Sequence, residues 1–472
     1  MELTRWKMAV WHPRIIESAR VKYIGVVEAL ESDIKTRVVK PGDRLPPQRQ
    51  IANDLGIDLT TVTRAMNEAA KRGLVDAQAG SGTFIAQTAF TNYNSIHITE
   101  GKPLDLSMNN PPIPPHLYIE QDIAATLTEL SASSSKPLHH LSYQETAGHP
   151  DDREAGGLWL AQKLEKVSAD LILIASGAHS AIYSILSYLQ RTGAKSILAP
   201  ELCYPGLRSI ADHLQLDVFS VAMDESGIIP EDLERVIKKH QPDAFYFTPN
   251  IDNPTTATLT LERRLQLAEL AREHDLKLIE DDPYYPFLDK PLPALYSLAP
   301  ELTWHIATVS KCLSPALRVA YVVAPQLDDA LSLAEEMRIS SIMAPPLMSA
   351  VVARWIRTGH ITHIVDAIKA ENIKRQELAN AILDTQKLLT NPVAPHLWLQ
   401  LPKGARALDF SERASRIGVS VVPSTAFVST RSRVQAVRVS LGGASDYPAL
   451  RHGLTLLADL CDAKQTRSKS II

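Results

Sequence analysis

Lys311 and Arg318 form the residue pair in this chain whose types and spacing most directly indicate chemistry. Lys311 follows the apolar, strand-like run Trp304–Val309, and Arg318 comes seven positions after the lysine. A lysine amine can form a Schiff base with an aldehyde, and a guanidinium can bind phosphate oxygens through parallel hydrogen bonds. The pair therefore suits a cofactor that carries an aldehyde and a phosphate. Taken alone it is weak, because most lysines at strand ends are solvated surface charges.

The elements that would position this pair are short apolar runs separated by helical stretches. Besides Trp304–Val309, the runs are Leu171–Ala175, Ser196–Ala199, Ala244–Thr248, Leu276–Ile279 and Val319–Ala324. This alternation predicts a mostly parallel sheet with helices on both faces. In such sheets the ligand lies beyond the carboxyl ends of the strands. The residues that follow the runs are therefore the candidate site.

Polar and small residues follow the runs in a chemically coherent set. They are the helix-opening segment Ser176–Ser180, Tyr204, Asn253, Asp281 with Tyr284, and Lys311. Backbone N–H groups at a helix start can hold phosphate. A carboxylate can keep a pyridine nitrogen protonated, while a phenol and an amide hold a ring hydroxyl. These are the needs of pyridoxal 5'-phosphate, with the lysine as its covalent anchor.

This array resembles the fold-type I aminotransferases, closest to the aminoadipate and kynurenine aminotransferase group, over nearly all of residues 104–460. The resemblance implies a mostly parallel α/β sheet of a seven-stranded type and a smaller C-terminal α/β domain. The resemblance implies that Asp281 pairs with the pyridine nitrogen and that Tyr284 and Asn253 contact the ring oxygen. Tyr204 would stack on the ring, and Lys311 would be the Schiff-base lysine. The remaining implied cofactor contacts are Ser310, Arg318, Ala178 and His179. Ser/Thr and Gln usually fill positions 178 and 179, so one phosphate contact should be weaker here.

A last element of this resemblance lies near the C-terminus. The segment AVRVS at 436–440 matches the strand whose arginine grips the substrate α-carboxylate, so Arg438 is implied as the substrate-binding residue. The alternative for Arg438 is a surface strand charge. Cys312, beside Lys311, is interpreted as packing. The histidines show no metal-ligand spacing, and no metal site is predicted.

The first 87 residues have a different pattern. An amphipathic helix is predicted over Arg20–Val39, a short second helix from Leu45 to Leu55, and a third after Asp58 as N-cap. In the third helix Val62, Met66, Ala69 and Gly73 share one face, and Thr60, Thr63, Arg64 and Asn67 share the other. Small apolar residues inside and hydroxyl, amide and guanidinium groups outside suit a helix in a DNA major groove. Segments at 73–76 and 80–85 predict a two-stranded wing.

These pieces resemble the winged helix-turn-helix of GntR-type transcription regulators. The motifs are PGDRLPPQRQIA, TTVTRA, RGLV and GSGTFI, and they cover essentially all of residues 15–87. The resemblance implies DNA contacts by Arg49, Thr60, Thr61, Thr63, Arg64 and the wing at Gly82. Many members carry a Ser/Thr-Arg pair where this chain has Asp58 and Leu59. The operator sequence therefore cannot be taken from relatives.

Bulk properties divide the chain in the same way. Residues 1–90 hold 13 Lys+Arg and 10 Asp+Glu, a charge of +3, and the rest of the chain carries −7. A basic head suits an anionic partner. No apolar run is long enough to span a bilayer, and three cysteines give no paired framework, so a cytoplasmic protein is expected. The expected division is a head at 1–87, a linker at 88–103, a body at 104–465 and a tail at 466–472. Within the body a large part is expected at about 140–325 and a small part at about 326–465.

A GntR-type head on an aminotransferase-like body is the layout of the MocR subfamily of bacterial regulators. The resemblance implies a pyridoxal phosphate-dependent transcription regulator that binds a double-stranded DNA operator and senses an amino acid, an amine or the cofactor itself. It also implies a head-to-tail homodimer. The alternative is a working aminotransferase, converting an amino acid to a 2-oxo acid, whose head is incidental or autoregulatory. A DNA-binding protein with a dead body is disfavoured by the intact Lys311, Asp281 and Arg318.

Overall fold

The computed structural model describes residues 11–15, 21–35, 38–39, 42–71, 74–78, 82–86, 103–132, 139–164, 167–384, 386–430 and 432–469. The chain divides into two compact units, residues 1–103 and 104–472. The predicted linker lies, apart from Pro103, outside the described residues. Among the described residues, no helix is long and apolar enough to cross a membrane.

The described residues of the first unit form three helices and a two-stranded antiparallel ribbon. These are α1 (Lys22–Lys35), α2 (Gln48–Leu55), α3 (Leu59–Lys71), β1 (Val75–Gln78) and β2 (Gly82–Ile85). Side chains from all three helices and both strands share one hydrophobic core. The fold class predicted for the head, a winged helix-turn-helix, is confirmed.

Two helices of the first unit are shorter than predicted. Helix α1 ends at Lys35, and the amides of Val38 and Val39 turn back to the carbonyl of Asp33. Helix α2 begins at Gln48 rather than Leu45, because Pro47 holds extended backbone with ψ 141° and a residue before a proline is disfavoured in helical conformation. Gly56 ends α2 in the left-handed region at φ +60°, which glycine adopts without strain. Residues 73, 80 and 81, which were assigned to the third helix and the wing, lie outside the described residues.

The second unit is built on a seven-stranded sheet. Its strands are β4 (Ile172–Ala175), β5 (Ser196–Pro200), β6 (Asp217–Val221), β9 (Ala244–Phe247), β10 (Lys277–Asp281), β11 (Thr303–Thr308) and β12 (Ala320–Val323), in the order β4-β12-β11-β10-β9-β5-β6. Only β12 runs against its neighbours, so the predicted mostly parallel sheet is confirmed.

Both faces of this sheet are buried, as expected for a sheet of this kind. In β12, Tyr321 and Val323 face one hydrophobic cluster while Val322 faces another. The alternation follows from the two-residue period of a strand. In β10, Ile279 belongs to this second cluster and Leu278 to a third one. The sheet is therefore a rigid central layer, and its strand ends are fixed positions from which side chains can be presented.

The remaining elements cover that sheet and form a smaller domain. The helices are α4 (Ile119–Ala132), α5 (Pro150–Leu160), α6 (Ala178–Arg191), α7 (Pro205–His213), α8 (Pro230–His240), α9 (Leu261–Glu273), α10 (Leu295–Leu298), α11 (Leu327–Ser341), α12 (Pro346–Thr358), α13 (His360–Ile382), α14 (Ala407–Arg416) and α15 (Tyr447–Lys469). The short strands are β3 (Leu104–Asp105), β7 (Met223–Asp224), β8 (Gly227–Ile228), β13 (Lys387–Leu389), β14 (His396–Gln400), β15 (Val419–Ser420), β16 (Val422–Pro423) and β17 (Ala436–Ser440).

The smaller domain has an antiparallel sheet in the order β13-β14-β17-β16. Strand β3, the first element after the linker, pairs in parallel with β15 through Leu104 opposite Val419. Helix α15 runs to Lys469, so the predicted tail begins within a helix. Lysine, glutamine and arginine in this stretch are good helix formers, which a reading based on polarity alone overlooks.

Candidate functional site

The sequence-predicted residues of the body meet at one cavity of about 360 Å³ at the strand ends of the large sheet. Its lining includes Ala178, His179, Tyr204, Asn253, Asp281, Tyr284, Ser310, Lys311, Arg318 and Arg438. It also includes Met108, Asn109, Tyr246 and Thr248, which the sequence did not single out. The structure thus brings together every predicted cofactor and substrate residue of the body.

Lys311 lies just beyond the end of β11, lines the cavity and is half-buried. Its Nζ donates a hydrogen bond to the backbone carbonyl of Asn109 at 2.7 Å. Burial, with the nearby Arg438, lowers the pKa of the Lys311 amine to about 8, since desolvation disfavours the charged form. An amine with this pKa is partly neutral near pH 7–8, which is the form that attacks an aldehyde.

Asp281 ends strand β10 and is 7% exposed. Its Oδ2 accepts a hydrogen bond from the hydroxyl of Tyr246 at 2.8 Å, while its buried Oδ1 has no protein partner. Burial raises the pKa of the Asp281 carboxyl to about 6, against the lowering effects of Tyr246 and Lys311. A buried carboxylate oxygen that lacks a donor fits the protonated nitrogen of a pyridine ring.

The start of helix α6 lines the same cavity. Gly177 precedes the helix at φ +88°, and no side chain caps its first turn. Arg318, itself at φ +54°, donates to the carbonyl of Ser176 at 2.7 Å. A Cβ on Gly177 would stand 2.9 Å from the Arg318 guanidinium. Free helix N–H groups beside a guanidinium are a suitable site for a phosphate dianion.

Ser310 and Tyr204 complete this side of the cavity. The Ser310 hydroxyl accepts a hydrogen bond from Thr308 Oγ1 at 3.0 Å. The Tyr204 hydroxyl lies 3.2 Å from His179 Nδ1, and the two rings meet edge to face. Burial, with Arg318, lowers the pKa of His179. The imidazole is therefore a neutral hydrogen-bond partner for the phenol near neutral pH.

Arg438 in β17 is 8% exposed and already engaged by two oxygens. It donates to Asn253 Oδ1 at 2.8 Å and to the backbone carbonyl of Ser107 at 2.6 Å, while its Nε has no protein partner. Because the Asn253 oxygen is taken by the guanidinium, the Asn253 amide nitrogen is the atom left to meet a ligand oxygen. A carboxylate in the cavity would meet a free donor on Arg438.

Behind Asp281 lies a set of buried polar side chains. Asp282 pairs with Lys163 and accepts from Asn250 Nδ2 at 2.8 Å. Arg264 donates to Asn250 Oδ1 at 2.7 Å. Each charge in this set has a partner of opposite charge or a hydrogen bond, as buried charges require. The set fixes the end of β10, and so the direction of the neighbouring Asp281.

The first unit presents a separate candidate surface on α3. Val62 and Met66 of that helix are buried, whereas Thr60 and Arg64 are exposed. Arg49 on α2 is also exposed. These exposed groups have the composition expected of a helix that contacts DNA.

Two of the predicted DNA contacts have partners within the head. Thr63 Oγ1 donates to Gln48 Oε1 at 2.9 Å, which ties α3 to α2. The Arg64 guanidinium carbon lies 5.9 Å from the centre of the Tyr23 ring. Thr61 is half-buried. Thr63 therefore has a structural contact to break before it could meet a base edge.

The wing adds a residue that the sequence did not indicate. Gly82, at φ +119°, starts β2, and a Cβ there would stand 2.9 Å from Arg44 Nε. Arg44 pairs with Phe84 in an antiparallel bridge and its side chain is exposed. Arg44 lies in the PGDRLPPQRQIA motif, ahead of the predicted second helix, and its bridge to Phe84 places it beside the wing.

Two family models match the chain. "Aminotransferase class I and II" matches residues 102–447, and "Bacterial regulatory proteins, gntR family" matches residues 22–85. The uncharacterized HTH-type transcriptional regulator YdeF of Bacillus subtilis is 30% identical, over 96% of this chain and 97% of its own length.

Two further similarities concern the body. A 2-aminoadipate transaminase of Thermus thermophilus is 27% identical, over 69% of this chain and 82% of its own length. Among solved structures, an archaeal alanine:glyoxylate aminotransferase has a TM-score of 0.71 at 21% identity, covering 79% of this chain and 94% of that one. At 21% identity, the match to this solved structure shows the fold alone.

Proposed function

The chain belongs to the aminotransferase class I and II family and, with its gntR-type head, to the MocR subfamily, and we propose that it is a pyridoxal phosphate-dependent transcription regulator. The observation that carries this proposal is the union of two chemistries on one chain. A helix with exposed Thr60 and Arg64 precedes, in the same polypeptide, a cavity that holds Lys311, Asp281 and Arg438. A similar protein of nearly equal length is named a transcriptional regulator.

Pyridoxal 5'-phosphate is the cofactor that the family match indicates, and the cavity fits it. Asp281 Oδ1 would accept the hydrogen of the ring nitrogen, and Lys311 would provide the covalent anchor. Arg318 and the first turn of α6 would hold the phosphate. When bound, the cofactor withdraws electrons from an attached amino group and its neighbouring carbon. The residues here orient and charge-balance that group.

The effector is proposed to be an amino acid. Arg438 Nε is a buried donor without a protein partner, which suits an α-carboxylate. The amino group of this effector would compete with Lys311 for the same position in the cavity. DNA binding changes only if the effector binds two arrangements of the protein unequally. We further propose a head-to-tail homodimer and a cytoplasmic location, where the DNA partner is found.

The test is a set of absorbance titrations on the full chain. We expect a visible band with pyridoxal phosphate, and a shift of that band with one or more of the standard L-amino acids or L-2-aminoadipate. No keto-acid product should accumulate when 2-oxoglutarate is present. Operator binding is measured by fluorescence anisotropy on the DNA upstream of the gene that encodes this chain. It should change over the same range of amino-acid concentration as the absorbance band.

The Lys311→Ala variant distinguishes cofactor binding by the body from DNA binding by the head. We expect it to lose the visible band and keep basal DNA binding, while Lys195→Ala, which removes an exposed lysine, should keep both. A band that survives in Lys311→Ala would refute the lysine assignment.

The second candidate function is a working aminotransferase. The presence of both Lys311 and Arg438 in the cavity favours it, as does the similarity to a 2-aminoadipate transaminase. Many turnovers of amino acid to 2-oxo acid, with operator binding unaffected by the amino acid, would identify the chain as an enzyme instead of a regulator.

A further inference from the structure

Asn109 is a site residue that no motif of the chain indicates. It lies between the first strand of the body and the proline-rich segment 111–115, and it is 6% exposed. Its backbone carbonyl accepts from Lys311, and its side-chain nitrogen lies 2.8 Å from the Tyr284 hydroxyl and 3.3 Å from His396 Nδ1. One buried asparagine thus joins three different parts of the chain at the cavity.

The directions of these hydrogen bonds follow from His396. Its Nε2 lies 3.2 Å from the carbonyl of Asp252, and a carbonyl can only accept. Nε2 therefore carries the imidazole hydrogen and Nδ1 is the acceptor. Burial lowers the pKa of His396 to about 3, so the ring remains neutral. One amide hydrogen of Asn109 then points at His396 and the other at Tyr284.

The hydrogen bond from Asn109 leaves the hydroxyl hydrogen of Tyr284 only one direction in which to point. Its oxygen already accepts from Asn109, and the ring is buried beside the cavity that also holds Asp281 and Lys311. Burial raises the pKa of the Tyr284 phenol, so the hydroxyl keeps its hydrogen. Because the amide donates to it, the phenol can donate only toward the cavity.

We propose that Asn109 is a positioning residue of the cofactor site, whose side-chain amide fixes Tyr284 as a hydrogen-bond donor to the ring oxygen of the bound cofactor. The proposal rests on the proposed function in one respect, that pyridoxal phosphate occupies the cavity. It does not depend on DNA binding or on any effector. Asn109 acts through Tyr284, so the two residues should form one energetic unit.

The expected signature is spectroscopic. A hydrogen bond donated to the ring oxygen stabilises that oxygen in its negatively charged form. Losing the donor therefore raises the pH at which the visible band of the lysine-bound cofactor changes. Tyr284→Phe gives the full effect, and Asn109→Ala should give part of it, with an upward shift of about 0.5–1 pH unit for one weakened hydrogen bond.

The experiment is a pH titration of the visible band in the cofactor-loaded full chain. Asn110→Ala is the matched control, since it is the same change one residue later and Asn110 does not line the cavity. We expect no shift in Asn110→Ala. Asn109→Leu, which keeps the side-chain volume without the donor, should reproduce the shift if Asn109→Ala does not fold.

The double variant decides whether the two residues act as one unit. In the Tyr284→Phe background, Asn109→Ala should add no further shift, as in a fully coupled double-mutant cycle. An equal shift in both backgrounds would overturn the proposal, as would an unchanged midpoint in Asn109→Ala beside a shifted one in Tyr284→Phe. If the unaltered protein shows no visible band with pyridoxal phosphate, the proposed function itself fails, and the positioning role fails with it.

Discussion

Tyr246→Phe is the substitution that tests the electrostatics of the cavity most directly. The Tyr246 hydroxyl donates to Asp281 Oδ2 at 2.8 Å, and both groups are buried. Burial raises the pKa of Asp281 to about 6, while the Tyr246 hydrogen bond works against that rise. Burial also raises the pKa of Tyr246 itself, so the phenol stays a donor throughout the accessible pH range.

The magnitude follows from the value of that hydrogen bond. A hydrogen bond to a charged group contributes about 1.5–3 kcal/mol, and one pKa unit corresponds to about 1.4 kcal/mol. Removing the hydroxyl should therefore raise the pKa of Asp281 by about 1–2 units, to about 7–8. Only the ionised carboxylate pairs with a protonated ring nitrogen, so cofactor affinity falls as pH falls through this pKa.

The assay is the dissociation constant of pyridoxal phosphate, measured from the visible band between pH 5.5 and 9. Affinity in the unaltered protein should weaken below about pH 6, and in Tyr246→Phe already below about pH 7–8. Tyr321→Phe is the control, because that buried phenol has no hydrogen-bond partner. Coincident pH profiles for Tyr246→Phe and Tyr321→Phe would refute the reasoning.

Three further changes have defined outcomes. Gly177→Ala places a Cβ within 2.9 Å of Arg318 at φ +88°, and the left-handed backbone alone costs about 1–2 kcal/mol for alanine. Cofactor affinity, measured by equilibrium dialysis, should therefore fall about tenfold or more. Arg49→Ala should make the fall of log K for DNA binding with log salt concentration less steep by about 0.9. An unchanged slope in a fluorescence anisotropy series would exclude a phosphate contact by Arg49. Gly56→Ala, at φ +60° with open space around it, should destabilise the head by about 1 kcal/mol in chemical denaturation, without changing the visible band.

Six of the seven strands of the large sheet were predictable because each is a short apolar run in the sequence. Strand β6 was missed, since Asp217–Val221 is half-exposed and mixes polar with apolar residues. The strand-end residues were predictable because a sheet brings the carboxyl ends of parallel strands to one edge. Asp281, Asn253 and Lys311 line a single cavity for this reason.

The rest of the cavity could not be predicted because it is assembled across long sequence separations. Asn109 meets Lys311 across 202 positions and His396 across 287. Neither asparagine nor histidine in those segments has a local pattern that indicates burial. Tyr246 lies inside an apolar strand, where an aromatic residue is ordinary core, and only the neighbouring strand turns its hydroxyl into a partner of Asp281.

The segment that carries Ser107 and Asn109 connects the linker to the cofactor cavity along the chain. Its carbonyls accept from Arg438 and Lys311, the two groups proposed to hold the amino-acid effector and the cofactor. This segment begins at Leu104, directly after the linker. If the proposed amino-acid effector changes the affinity for DNA by some factor, DNA must change the affinity for that amino acid by the same factor, because coupling free energies are reciprocal. The operator would then be an allosteric ligand of the cofactor cavity, and its effect is measurable by titrating the amino acid with and without DNA.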